Sequence, residues 1–174
     1  MNLNRKIAIV SVIIIILLVV LFATLRIINR KSQPNRLLKE KEISVYFSTQ
    51  EAMYLKAEKR LIKTDKLYSN AISELIAGPS NPENNRTIPR GVELNSIVVE
   101  NGLARADFNQ ALIDNHWGGS TGERMTVYSI VNTLTQFDEI ERVLIIIDGE
   151  KVESLAGHMD LTEEITRNEN IIKK

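Results

Sequence analysis

The chain reads as an α+β protein: a two-layer sandwich in which two helices cover one face of a mixed, largely antiparallel sheet. The order is β-β-α-β-β-α-β-β, behind an N-terminal transmembrane helix. Three observations predict this. Asn101-Gly102 and Asp148-Gly149 each stand between apolar runs, as hairpin turns do. Two separate stretches repeat apolar residues at helical spacing, and one of them stops at Gly78-Pro79. Ile7 to Leu25 is almost unbroken aliphatic sequence.

Residues 1–6 read as a short cytoplasmic tail and 7–28 as an uncleaved signal anchor. A helix of about 19 residues is about 28 Å long, close to the hydrocarbon thickness of a bilayer. A cleaved signal peptide is the competing reading, since Arg5 and Lys6 make a basic n-region, but no small-x-small cleavage site precedes Arg26. Six basic residues (Arg26, Arg30, Lys31, Arg36, Lys39 and Lys41) follow the span, and a bare charge count would keep them inside. A short basic tail retained in the cytoplasm, with a folded domain that crosses regardless of charge, favours the opposite orientation. The expectation is a single-pass plasma-membrane protein with its C-terminal domain extracytoplasmic. Residues 29–42, polar and basic around Pro34, read as a juxtamembrane linker.

The folded part is expected over 43–160. Ile43, Val45 and Phe47 alternate with polar residues as in a half-buried strand, and the charged run 54–62 suits a second strand at a sheet edge. Residues 65–77 form a helix capped by Thr64 or Asp65, with Leu67, Ala71, Ile72, Leu75 and Ile76 on one face. Val92 to Phe108 is a hairpin. Thr121 to Phe137 is the longest helix, begun by a Ser120–Glu123 capping box, with Val127, Ile130, Val131, Leu134 and Phe137 as its buried stripe. Glu141 to Ile147 is a central strand, and Lys151 to Leu155 its returning arm. Residues 161–174 read as a polar tail with a short frayed helix.

The 174 residues hold 22 basic and 22 acidic side chains, but unevenly. Residues 1–42 carry eight Lys/Arg and two Glu, leaving 14 basic and 20 acidic residues in 43–174. An acidic folded part excludes nucleic acid as a partner class. With no cysteine, disulfides, thiolate metal sites and a lipid-modified cysteine are all excluded.

No constellation for chemistry emerges, and no catalytic, cofactor or metal residue is assigned. Gly118-Gly-Ser-Thr-Gly122 lacks the lysine of a phosphate loop, and Glu123 would repel a phosphate. His116 and His158, near Asp114 and Asp160, lack ligand spacing and a third partner. Trp117 reads as a core plug or an exposed recognition aromatic. No serine sits in a nucleophile elbow.

Several segments together resemble the GerMN domain, the sporulation and spore germination module. They are Val45-Tyr-Phe47, Leu55 with Glu58 and Arg60, Glu74-Leu-Ile-Ala-Gly-Pro79, Ile88-Pro-Arg-Gly91 and Gly102-Leu-Ala-Arg-Ala-Asp-Phe108. Gly122-Glu123, Ser129-Ile-Val-Asn-Thr-Leu-Thr135, Val143-Leu-Ile-Ile-Ile-Asp-Gly149 and Gly157 with Asp160 complete the set. The resemblance implies an extracytoplasmic, membrane-tethered module that acts by contact with envelope or sporulation proteins, a homo-oligomer being one form of that contact. A best-known relative has two domain copies and a lipidated cysteine; this chain has one copy and an apolar N-terminal run. The alternative from another class is a small-ligand or cell-envelope binder, or a hydrolase, using the His116–Gly122 loop.

Overall fold

The computed structural model describes residues 15–22, 24 and 39–173. The chain divides into two compact units, Met1–Leu37 and Leu38–Lys174. Of the first, residues 15–22 are helical, and every side chain from Ile15 to Phe22 is more than half exposed. Among the described residues no helix is long and apolar enough to cross a membrane. Most of the expected 7–28 span lies outside them.

In the second unit the strands divide between two sheets, where a single sheet was expected. Strands β1 (Glu40–Thr49) and β2 (Leu55–Lys63) form a long antiparallel hairpin, joined by β3 (Asn84–Asn85) in the order β2-β1-β3. The second sheet contains β4 (Leu94–Glu100), β5 (Leu103–Phe108), β6 (Arg142–Ile147) and β7 (Glu150–Lys151) in chain order. β5 and β6 run parallel, as a crossover through a helix allows, and β8 (Ile165–Thr166) also pairs with β6. Hairpin periodicity looks the same whether two hairpins share a sheet or not. The partition is set by packing across the chain.

Both tight turns form as expected. Asn101 (φ 51°) and Asp148 (φ 47°) take the left-handed conformation beside Gly102 and Gly149, as a type I′ turn demands. The arm after Gly149 pairs only over Glu150–Lys151.

Helix α1 (Leu67–Ala77) buries Ala71, Ile72 and Leu75. Neither Thr64 nor Asp65 caps it: Lys66 stands at the N-cap without a side-chain bond, and Asp65 instead accepts from Asn70 Nδ2 at 3.3 Å. Its C-terminus closes on Gly78, whose N–H reaches the carbonyls of Glu74 and Leu75. Arg86 donates both guanidinium nitrogens to Ile76 O at 2.7 Å. Gly78 is needed twice over, for its φ of 96° and because a Cβ would lie 2.5 Å from Arg86 Nη1.

After the single turn of α2 (Ala111–Asp114), helix α3 (Ser120–Leu134) runs through the middle of the unit, packed against β1, α1 and β6. One apolar stripe was expected. The structure buries its polar flank as well, including Glu123, Thr126, Ser129, Asn132 and Thr133. Each finds a partner, as burial requires. Asn132, for example, exchanges two 3.0 Å bonds with the backbone of Asn168. Just past the helix, Gln136 reads the stretch of β1 that β3 leaves unpaired, as a strand would. Its Oε1 accepts from Ser44 N and its Nε2 donates to Ser44 O, both at 2.7 Å, while Thr133 Oγ1 accepts from Tyr46 N.

The segment 161–174, read as a frayed polar tail, is instead part of the unit. Leu161 and Ile171 are buried, residues Glu169–Ile171 form a 3-10 turn, and Lys173 N donates to Leu55 O on β2. Arg167 reaches Asn132 O and the Tyr46 hydroxyl.

Candidate functional site

The His116–Gly122 loop is the stretch with the strongest claim to chemistry, and α2 and α3 fix its two ends. Gly118 N donates to His116 Nδ1 at 3.0 Å, and His116 Nε2 lies 3.1 Å from Thr126 Oγ1. Thr126 already donates its proton to Thr87 O at 2.7 Å, so the imidazole carries its proton on Nε2 and donates it to Thr126. Both ring nitrogens are committed, and neither is free to act as a base. Burial pushes the His116 pKa below its ordinary 6.5, against the Glu123 charge and the backbone bond at Gly122, which pull it up.

That direction has a testable consequence. The folded protein resists protonation at His116 more than the unfolded chain, so the stability it contributes is full above about pH 6.5 and lost as pH falls through the folded value. A His116→Gln variant is expected to show a flatter loss of melting temperature between about pH 7 and 5 than the parent. Parallel slopes would refute the assignment.

Trp117 is exposed rather than a core plug. It stacks on His116, with centroids 5.4 Å apart at 23°, and lies against Gly122, where a Cβ would fall 2.8 Å from the indole. This explains a glycine inside the first turn of a helix.

Glu123 is the residue that sequence reasoning misassigned. No side-chain cap bond forms at the start of α3, where Gly119 is the N-cap. The fully buried carboxylate points the other way, into the loop after β7. Oε1 accepts from Leu155 N at 2.7 Å and Ala156 N at 3.0 Å, and Oε2 accepts from His158 N at 2.8 Å. The Gly122-Glu123 and Gly157 elements of the family pattern therefore meet here as a structural latch.

His158 lines an open groove of about 510 Å³ with Glu153, Ser154, Gly157, Met159, Asp160 and Thr162. His116 and Trp117 are not among its lining residues. Asp160 is held by the Thr162 amide and hydroxyl, which lower its pKa. Among the described residues no group of three His, Cys, Asp or Glu gathers as a metal site.

A second polar cluster centres on Glu58, and it too is structural. Its carboxylate accepts from Arg60, Asn84 Nδ2, Ser80 N and Asn81 N, tying β2 to the loop after α1. Burial pushes its pKa up, but the bonds from Asn84, Ser80 and Asn81 and the Arg60 charge outweigh it and hold the carboxyl below the usual range. A separate depression of about 240 Å³ nearby is lined by Thr49, Gln50, Glu51, Lys56, Glu83, Asn84 and Lys173.

What the surface does offer is sheet edge. β2 ends the first sheet, with Leu61 67% exposed, and β4 ends the second, with Val98 46% exposed. The β2 edge carries Lys56, Lys59, Arg60 and Lys63, as blunted edges do.

Known structures share this arrangement. The tandem GerMN domains of the sporulation protein GerM from Bacillus subtilis align with TM-score 0.63 at 20% identity over 74% of this chain, which spans 46% of that protein. The first GerMN domain of GerM aligns with TM-score 0.63 at 21% identity, covering 73% of this chain and 98% of that domain. A protein named as a lipoprotein from Clostridium perfringens aligns with TM-score 0.53 at 26% identity, covering 78% and 93%. A comparison with curated proteins finds no match. The family model Germane, described as sporulation and spore germination, matches residues 44–153, the stretch from β1 to the Glu123 latch loop, and the chain belongs to that family.

Proposed function

We propose that this protein is a non-catalytic docking module, tethered to the outer face of the plasma membrane by its N-terminal helix, that assembles with other envelope or sporulation proteins. The observation that carries the reading is the state of the His116–Gly122 loop. Its histidine and the adjoining Glu123 of α3 are both consumed in holding the fold. A hydrolase needs a base free to take a proton, and this loop supplies none. Family membership supports a role in sporulation or germination. The solved relatives include a sporulation protein and a protein named as a lipoprotein, which supports a membrane-associated extracytoplasmic placement. The exposed aliphatic helix at 15–22 fits a lipid-facing segment.

Photo-crosslinking from the domain surface of the full-length protein in living cells, during growth and during sporulation, tests the reading. Defined protein adducts are expected, together with a C-terminal reporter fusion active only outside the cytoplasm. Adducts confined to lipid or glycan would overturn docking, and a reporter active only inside would overturn the topology.

A further inference from the structure

We infer that the free edge of β4 is a docking site for the same strand of a second copy of this chain, the two strands pairing antiparallel about Ile97. The inference rests on the docking reading and gives it a surface and a partner.

The two terminal strands of this unit are made differently. β2 carries four basic residues along its length, and antiparallel self-pairing about its middle would set Lys59 against Lys59. β4 reads Leu-Asn-Ser-Ile-Val-Val-Glu, with no Lys, Arg or Pro. It pairs with β5 on one side, and among the described residues no strand pairs with the other. Glu100 and Leu103 flank the two-residue turn, so alternation along the ladder points the backbone groups of Ile97 and Val99 away from β5, at the open edge. Val98, beside them, is 46% exposed. Its middle, Ile97-Val98-Val99, is apolar and uncharged, and such an edge is a template for strand addition.

Charge favours a copy of itself as the occupant. Pairing about Ile97 opposes Ile97 to itself and Ser96 to Val98, the stretch clear of the bulge between Leu94 and Ser96, and sets no like charges together. Along the same edge lies a groove of about 450 Å³ between β4 and α1, lined by Lys66, Ser69, Ser73 and Ile76 from the helix side. A homotypic pair is also what a shared tether promotes, because copies anchored in one membrane meet at high effective concentration.

The absence of cysteine makes the test direct. Full-length Ser96→Cys and Val98→Cys chains are co-expressed and mildly oxidised in their membranes, with Lys59→Cys on β2 as the control. In the inferred register 96 and 98 are directly opposed across a non-hydrogen-bonded pair, about 4.5 Å between Cα atoms and within disulfide reach. The mixture is expected to give about tenfold more disulfide dimer than either chain alone or the Lys59→Cys control, since an offset of two residues exceeds that reach. Equal dimer at Lys59, or none in the mixture, overturns the inference. If the mixture gives none while surface crosslinking still captures a different protein, self-pairing fails and the docking reading stands. If both come back empty, both fail.

Discussion

Replacing Glu123 by alanine is expected to lower the stability of the domain by about 3–5 kcal/mol, read as a shift of the urea midpoint at unchanged slope. The carboxylate accepts three backbone N–H groups from a single loop, and that of Leu155 is buried with it. A bond to a charged acceptor contributes about 1.5–3 kcal/mol, and a buried donor left without a partner costs about 1–3 kcal/mol. The variant loses the bonds, strands the donors and opens a cavity. Glu123→Gln separates these effects. Its amide oxygen can keep Leu155 and Ala156 while its NH₂ confronts the His158 N–H, so about 1–3 kcal/mol is expected. An alanine variant within about 1 kcal/mol of the parent would mean that the latch does not hold the loop.

Deleting residues 161–174 is expected to leave a chain that does not fold cooperatively. Leu161 and Ile171 are buried, and burying such a side chain stabilises by about 1.5–3 kcal/mol. The deletion also removes the Asn168 backbone from Asn132, leaving a buried amide without its partners, and takes Arg167 from Tyr46. The combined loss is comparable with the about 5–15 kcal/mol that holds a whole domain together. Ile171→Ala is the gentler arm, expected to cost about 2–5 kcal/mol while preserving the fold. A chain ending at Asp160 that unfolds at the parent's urea midpoint would show the segment to be dispensable.

What could be read in advance was local. Asn101-Gly102 and Asp148-Gly149 demand left-handed backbone whatever surrounds them, and both turns form. Gly78-Pro79 stops a helix for reasons contained in two residues, and the basic run in β2 marked its own edge. Apart from the cap of α1, where Asp65 turns to the nearby Asn70, the misreadings are cases where a distant group outbid a local one. Ser120 and Glu123 have capping-box spacing, but the loop after β7 offers three amides to one carboxylate, more than a cap could. Thr126, Asn132 and Thr133 lay outside the expected apolar stripe, and their partners (Thr87, Asn168 and Tyr46) lie 35 residues or more away. The C-terminal segment hides two buried apolar residues, Leu161 and Ile171, among ten polar or charged neighbours, too sparse to show a period. The pairing of Gln136 with Ser44 has no sequence signature at all.

That last pairing sets the valence of the molecule. A sheet open along both edges behaves as a bifunctional monomer: each addition leaves a fresh end, and growth need not stop. Here the amide of Gln136 terminates the first sheet along one side of β1. In the second, the two-residue strands β7 and β8 occupy the side of β6 away from β5. Each sheet is left monofunctional, with one long side to offer. Two molecules joined along β4 would leave no open edge in the joined sheet, and the edge each would still carry, β2, sets Lys59 against Lys59 on self-addition, where an unguarded edge would let growth continue.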